Sequence, residues 1–160
     1  MSLDIIAYKQ IKVAENQWLD EYEEPLEDGG FDFWVNPDFP NRANGIIPDK
    51  IYVAADTYRF RAGSYSSYNY FRERLALVAG WENIQECWNA NSGCLWELIN
   101  FSDREGTLDT EVCQKLLKDI QSIKTPTSIV SQDDECFWSK FNDWVKALEF
   151  ASDNGAISFR

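Results

Sequence analysis

The chain reads as one α+β domain, for three reasons. Apolar residues alternate with polar ones in its first third, they recur at steps of three and four from about residue 66 to 151, and alternation returns at the end. The expected architecture is a small antiparallel or mixed sheet packed against about four helices. Residues 1–160 then form a single domain, since the length falls within the roughly 100–200 residues of one domain.

The strands come first. Ile5 to Tyr8 is a short β candidate, and Phe31, Phe33 and Val35 alternate with Asp32 and Trp34 in a second. A dense group of turn formers, Asn36-Pro37-Asp38-Phe39-Pro40-Asn41-Arg42-Ala43-Asn44-Gly45, separates that strand from a third at Ile51 to Ala54. In a fourth strand, Tyr58 to Arg61, alternation puts Tyr58 and Phe60 on one face and Arg59 with Arg61 on the other.

The helices follow. Tyr68, Phe71, Leu75 and Val78 form one stripe over about Ser66 to Ala79, stopped by Gly80. Trp81, Ile84 and Trp88 indicate a short helix, and so do Leu95, Leu98 and Ile99. Cys113, Leu116, Ile120 and Ile123 mark a helix that starts after a cap at Thr107 or Asp109 and ends at Pro126. The clearest stripe is Phe137, Phe141, Trp144, Leu148 and Ala151, preceded by a capping-box-like pair, Ser131 and Asp134, on a helix from about Gln132 to Ser152. Trp138 lies beside this stripe, and tryptophans so spaced read as core rather than as a ligand cage. Asn154-Gly155 stops the helix, and Ile157 and Phe159 alternate in a last strand.

Composition excludes more than it names. Hydrophobic residues make up 44% and aromatics 15%, with seven tryptophans, so the chain can form a packed core. Fifteen basic residues against twenty-seven acidic ones give a net charge of -12, which repels nucleic acid, and no direct nucleic-acid binding is expected. The absence of histidine removes Ser-His-Asp and Cys-His nucleophile pairs, HExxH zinc sites and imidazole acid–base catalysis. Cys87, Cys94, Cys113 and Cys136 contain no CxxC pair, so they are expected to be reduced structural thiols, and neither a metal nor a cofactor is expected. The first residues lack the pattern of a signal peptide, and no apolar run approaches the roughly 20 residues of a membrane helix. The expected location is the cytoplasm.

Two segments hold residues that can do chemistry. The first, Thr57 to Arg72, joins a strand to a helix start through Gly63. Arg59, Arg61 and Arg72 offer fixed cations, Ser64, Ser66 and Ser67 offer hydroxyls beside helical N–H groups, and Tyr65 and Tyr68 can cover a planar group. Arg72 ranks third among these arginines because it can reach back only from the solvent side, and Tyr68 also fits the apolar stripe. The spacing matches neither GxxxxGK[ST] nor GxGxxG. The second segment, Asn100 to Thr107, sets Asp103 and Glu105 on either side of Arg104. Such a pair can serve as helix-start and turn chemistry, as paired glycosidase acids or as oxygen ligands. Asp153 and Asn154 form a third polar group, read as a helix end. Glu15 to Asp32 carries eight carboxylates and no basic residue, and it serves either as a solvated loop or as a face aimed at a basic partner.

The stretches FRAGSYSSYNYFR (60–72), WELINFSDREGT (96–107) and ASDNGAISF (151–159) resemble a group of small, uncharacterised proteins carried by phages and prophages. The resemblance covers most of the chain. It implies a phage–host setting, where small acidic proteins often block host defence, and it brings no catalytic motif and no assigned site residue.

The leading functional expectation is a small soluble phage-type binding protein that sequesters a phosphate-bearing, nucleotide-like ligand. Its ligand residues would be Arg59, Arg61, Ser64, Tyr65, Ser66, Ser67, Tyr68, Arg72, Asp103 and Glu105. The alternative is an acidic inhibitor or nucleic-acid mimic docking on a basic host protein. A small hydrolase acting through Asp103, Glu105, Tyr65 or a serine is the second alternative.

Overall fold

The computed structural model describes residues 2–123 and 134–160. It is an α+β arrangement of two antiparallel sheets and five helices among these residues. The strands are β1 (Ser2–Lys9), β2 (Lys12–Val13), β3 (Phe31–Asp32), β4 (Ile51–Val53), β5 (Asp56–Ser64), β6 (Gly106–Leu108) and β7 (Ala156–Phe159). The helices are α1 (Tyr65–Val78), α2 (Ile84–Ala90), α3 (Trp96–Ile99), α4 (Thr110–Ser122) and α5 (Glu135–Ala151). The main sheet has the order β5-β1-β7-β6, and a small sheet has the order β2-β4-β3.

β1 is central because both of its faces are apolar. Leu3, Ile5 and Ala7 point into the helical layer, while Ile6 and Tyr8 point the other way, against Phe33, Ala43, Ile46 and Tyr52. The last strand, β7, also runs through the middle, between β1 and β6, and all four of its residues are buried. A segment with only Ile157 and Phe159 as its signal thus becomes a core strand. Ser158 is buried as well, because the second layer covers that face.

Helices α1, α4 and α5 fill the other side. Trp144 of α5 sits at the centre, packed edge-on against Phe60 and tilted against Tyr68 and Phe159. Phe137, Trp144, Leu148 and Ala151 are buried as their spacing predicts, while Phe141 is half-buried. Helix starts follow their caps. Asp109 accepts from Val112 N–H at 3.0 Å, Asn83 from Glu86 N–H at 2.8 Å, and Asp134 from Phe137 N–H at 3.1 Å. Thr107 is not a cap but a buried strand residue. The expectations placed on Pro126, Ser131 and Gln132 lie outside the described residues.

Several boundaries differ from the expectation. Strand β5 runs over Asp56–Ser64, longer than Tyr58 to Arg61, because β1 pairs with it along its whole length. The Phe31 strand is short, yet Phe33 is buried and Trp34 exposed, so its alternation persists beyond the ladder. In α2 the buried residue is Cys87, not Trp88, and Trp81 lies before the helix with its indole N–H on the Cys94 carbonyl at 3.0 Å. The segment read as a loop around Gly106 contains β6, three residues without alternation of their own. It forms because β7 offers a paired edge at Gly106–Phe159, Thr107–Ser158 and Leu108–Ile157.

The turn-rich stretch 36–45 is anchored by Arg42. It is buried, donates to the carbonyls of Pro40, Glu97 and Asn100, and stands over the Trp96 ring at 4.2 Å. Burial pulls its pKa below the ordinary guanidinium value, against the opposing pull of Glu97.

Candidate functional site

The two segments that the sequence singles out meet in space. Strand β5 carries Arg59 and Arg61 on its outer face and Phe60 in the core, as alternation predicts. The pairing of β1 with β5 slips between Leu3 and Asp4, so that Leu3 faces Gly63 while Asp4 faces Arg61. Gly63 lies at φ +113°, and a Cβ there would come within 3.2 Å of the Ser67 Cβ, so glycine suits this link into α1.

Ser64 then caps α1. Its hydroxyl accepts from Ser67 N–H at 3.1 Å, donates to Ser67 Oγ at 2.9 Å and lies 3.2 Å from Ser66 Oγ. The three hydroxyls therefore bond mainly to one another and to the helix start. No acidic residue occupies the first turn of α1, so its N-terminal partial charge is not offset from within the helix.

Two expectations about this segment need correction. Arg72 does not reach back through solvent. It is 5% exposed and donates to the carbonyls of Ile99 and Phe101 and to Asn69 Oδ1, with its guanidinium 4.9 Å from the Tyr68 ring centroid. Its position on α1 faces the α3 end, and the Ile99 and Phe101 carbonyls there take the cation inward. Tyr68 is a core residue, 1% exposed among Phe71, Trp144 and Phe159, and cannot cover a ligand from the surface. Burial, offset by Arg72 and reinforced by Asp103, pushes its phenol up to about 12. Tyr68 Oη and Arg72 Nε are buried with no hydrogen-bond partner among the described residues.

The Asp103–Glu105 loop docks on α1 through Asn69, whose Nδ2 donates to Asp103 Oδ2 at 3.0 Å. Ser102 shapes the loop by accepting from Arg104 N–H at 3.1 Å and Glu105 N–H at 3.2 Å. Gly106 follows at φ +145°, where a Cβ would meet the Phe101 ring at 2.6 Å. Trp34 is brought alongside because Thr107 Oγ1 donates to its carbonyl at 2.7 Å and Asn36 Nδ2 donates to the Glu105 carbonyl at 3.0 Å.

Between these parts lies a groove of about 470 Å³, lined by Asp32, Trp34, Tyr65, Arg104, Glu105, Ser158, Phe159 and Arg160. The Arg104 guanidinium stands 5.7 Å from the Tyr65 ring centroid, and its Nε is 3.9 Å from Asp103 Oδ1. Arg160 donates to Ser158 Oγ and to the Asp32 carbonyl, each at 3.2 Å. The backbones of Asp4 and Arg160 exchange two hydrogen bonds, so Arg61, Asp4 and Arg160 stand side by side across three strands. Arg61 Nε reaches Asp4 Oδ1 at 3.3 Å, and Arg59 has no ion pair among the described residues.

Of the expected ligand residues, Tyr65 and Glu105 line this groove and Asp103 borders it through Arg104. Ser64, Ser66 and Ser67 stand at the α1 start, and Arg59 and Arg61 on the neighbouring strand face. Sequence reasoning missed Trp34 and Arg160 as groove residues. Trp34 had a signal, as the exposed aromatic in the Phe31–Val35 alternation. Arg160 had none, because only the central place of β7 brings it here.

Among the described residues no group of three or more cysteine, aspartate or glutamate side chains is arranged to hold a metal ion. No helix among them is long and apolar enough to cross a membrane. No protein-family model, curated protein or solved structure matches the chain.

Proposed function

We propose that this protein binds a small phosphate-bearing ligand with a planar group, of nucleotide type, in the groove between the α1 start, the Ser102–Gly106 loop and the end of β7. One observation carries the reading. An arginine beside a half-buried tyrosine, Arg104 with Tyr65, shares a groove of about 470 Å³ with a second arginine, Arg160, and an exposed tryptophan, Trp34. That volume suits a small molecule, since ligand pockets commonly run to about 300–1,000 Å³. Trp34 and Tyr65 offer flat faces to a base. Each charge-assisted bond from an arginine to a phosphate contributes about 1.5–3 kcal/mol, enough to offset repulsion from a distant acidic body. Asp32 and Glu105 can accept from a base or a sugar hydroxyl. The proposed action is sequestration, for which the likeness to phage-carried proteins supplies the setting.

Calorimetry with mono-, di- and cyclic nucleotides tests this. The intact chain should bind at least one of them, and Arg104→Ala, Arg160→Ala and Tyr65→Ser should each weaken that binding about tenfold or more, a loss of about 1.4 kcal/mol. Absence of binding to the whole panel overturns the reading. So does a ligand lost on joint Arg59→Ala and Arg61→Ala substitution but retained by the groove variants, which would put the site on the strand face.

A further inference from the structure

We infer that the acidic hairpin at residues 18–26 is a docking surface for another protein, one that presents lysine and arginine side chains around an apolar slot. The hairpin is well built. Leu19 bridges Pro25 in antiparallel fashion, Leu26 N–H donates to the Trp18 carbonyl at 3.0 Å, and Asp20 N–H donates to the Glu24 carbonyl at 2.8 Å. The Asp20 carboxylate accepts from Tyr22 N–H at 2.8 Å and Glu24 N–H at 2.9 Å, which fixes the tip.

A turn so constrained would ordinarily show polar side chains to water. This one shows Trp18 at 75% exposure, Tyr22 at 77%, Leu26 at 56% and Leu19 at 50%. Four large apolar side chains on nine residues form a patch of the kind that marks interaction surfaces, and tryptophan and tyrosine are the commonest binding anchors. Burying them would recover hydrophobic free energy that folding leaves unused.

Charge selects the partner. Glu15, Asp20, Glu21, Glu23, Glu24, Glu27 and Asp28 flank the patch along the chain with no lysine or arginine between them. None of these carboxylates forms an ion pair among the described residues. Beside the hairpin lies a groove of about 640 Å³, where Leu19, Pro25 and Phe31 stand next to Glu23, Glu24 and Asp49, with Lys50 and Arg160 also in its lining. An apolar centre inside an acidic rim fits a basic protein face, whereas nucleic acid and anionic membranes would be repelled by the same carboxylates.

The test pans a displayed random-peptide library on the intact chain, with a DNA duplex and phosphatidylserine vesicles as parallel probes. The enriched peptides should combine lysine or arginine with aromatic or aliphatic residues. Their affinity should fall about tenfold or more for Trp18→Ser with Tyr22→Ser, and also for Glu21→Lys with Glu23→Lys and Glu24→Lys, and it should weaken with added salt. The variants should keep the melting temperature of the parent, because the replaced side chains are exposed. Failure to enrich any peptide overturns the inference, as does enrichment of neutral or acidic ones or undiminished binding to either variant. Binding of the duplex or the vesicles through these residues overturns it too. None of the substituted residues lines the ligand groove, so this inference and the nucleotide reading fail separately.

Discussion

Asn69 Nδ2 donates to Asp103 Oδ2 at 3.0 Å, and through this bond α1 holds the loop that carries Arg104 and Glu105. Asn69 Oδ1 meanwhile accepts from Arg72, which in turn holds the carbonyls of Ile99 and Phe101. One face of one helix turn thus fixes the chain on both sides of Asn100. The groove wall inherits its position from a buried cation rather than from the loop's own sequence.

That dependence makes Arg72 a stability residue. Arg72→Met leaves the Phe101 carbonyl without its donor, while the Ile99 carbonyl keeps the Trp88 indole N–H at 3.2 Å, so about 1–3 kcal/mol should be lost in urea unfolding. Asn69→Ala removes two part-buried side-chain bonds, one to Asp103 and one from Arg72, and should cost about 2–4 kcal/mol. If Arg72→Met unfolds at the urea concentration of the parent, the contacts to Ile99 and Phe101 are not what secures this turn.

Trp144 is 1% exposed at the centre of the aromatic cluster. Trp144→Ala should destabilise by about 3–5 kcal/mol through lost area and the cavity left behind. Trp144→Phe should cost less, because the indole N–H is buried without a partner among the described residues and its removal relieves a desolvated donor. Thermal melts of the two variants, compared with the parent, check the order.

Three phenols resist ionisation in the fold. Burial and then the bond from Tyr58 Oη to Asp143 Oδ1 at 2.7 Å raise Tyr58 to about 12, burial raises Tyr68 to about 12, and burial raises Tyr8. Their folded pKa values lie above the ordinary value of 10.0, so the neutral form is favoured in the fold. The resulting stabilisation is present below pH about 10 and is lost as pH rises through about 12. Tyrosinate absorbance should show these three of the seven tyrosines titrating late, with unfolding following their ionisation. Tyr58→Phe should remove one late step; loss of a step at the ordinary tyrosine pH instead would contradict the Asp143 contact.

All four cysteines are free thiols, but they differ in access. Cys87 and Cys113 are buried, Cys94 is half-buried, and Cys136 is exposed on α5. Burial also pushes the Cys87 thiol up to about 11 and Cys113 higher than its ordinary value. A thiol-reactive dye should label Cys136 first, Cys94 more slowly, and Cys87 with Cys113 only on unfolding. Reductant should leave the melting temperature unchanged. Rapid labelling of Cys113 in the native state would mean that α4 opens without global unfolding.

What the sequence determined by itself is local. Alternation placed Phe60 inward and Arg59 with Arg61 outward, 3–4 spacing placed Leu75, Cys113, Leu116, Trp144 and Leu148 in the core, and Asp109 was one of the two residues offered as the cap of α4. Each depends on residues within about a turn of one another. The candidate site was half legible. Tyr65, Asp103 and Glu105 stood out as chemistry in polar segments, but their convergence needed Asn69 and Asp103 to meet across 34 residues. Tertiary structure alone decided that Arg72 turns inward, because the carbonyls that receive it lie 27 and 29 residues away. It decided likewise that Gly106–Leu108 is a strand and that Arg160 faces the groove, since both follow from β7 entering the middle of the sheet. A four-residue strand carries no periodicity that distinguishes an edge from a centre. Only the apolar layers closing on both of its faces make that choice.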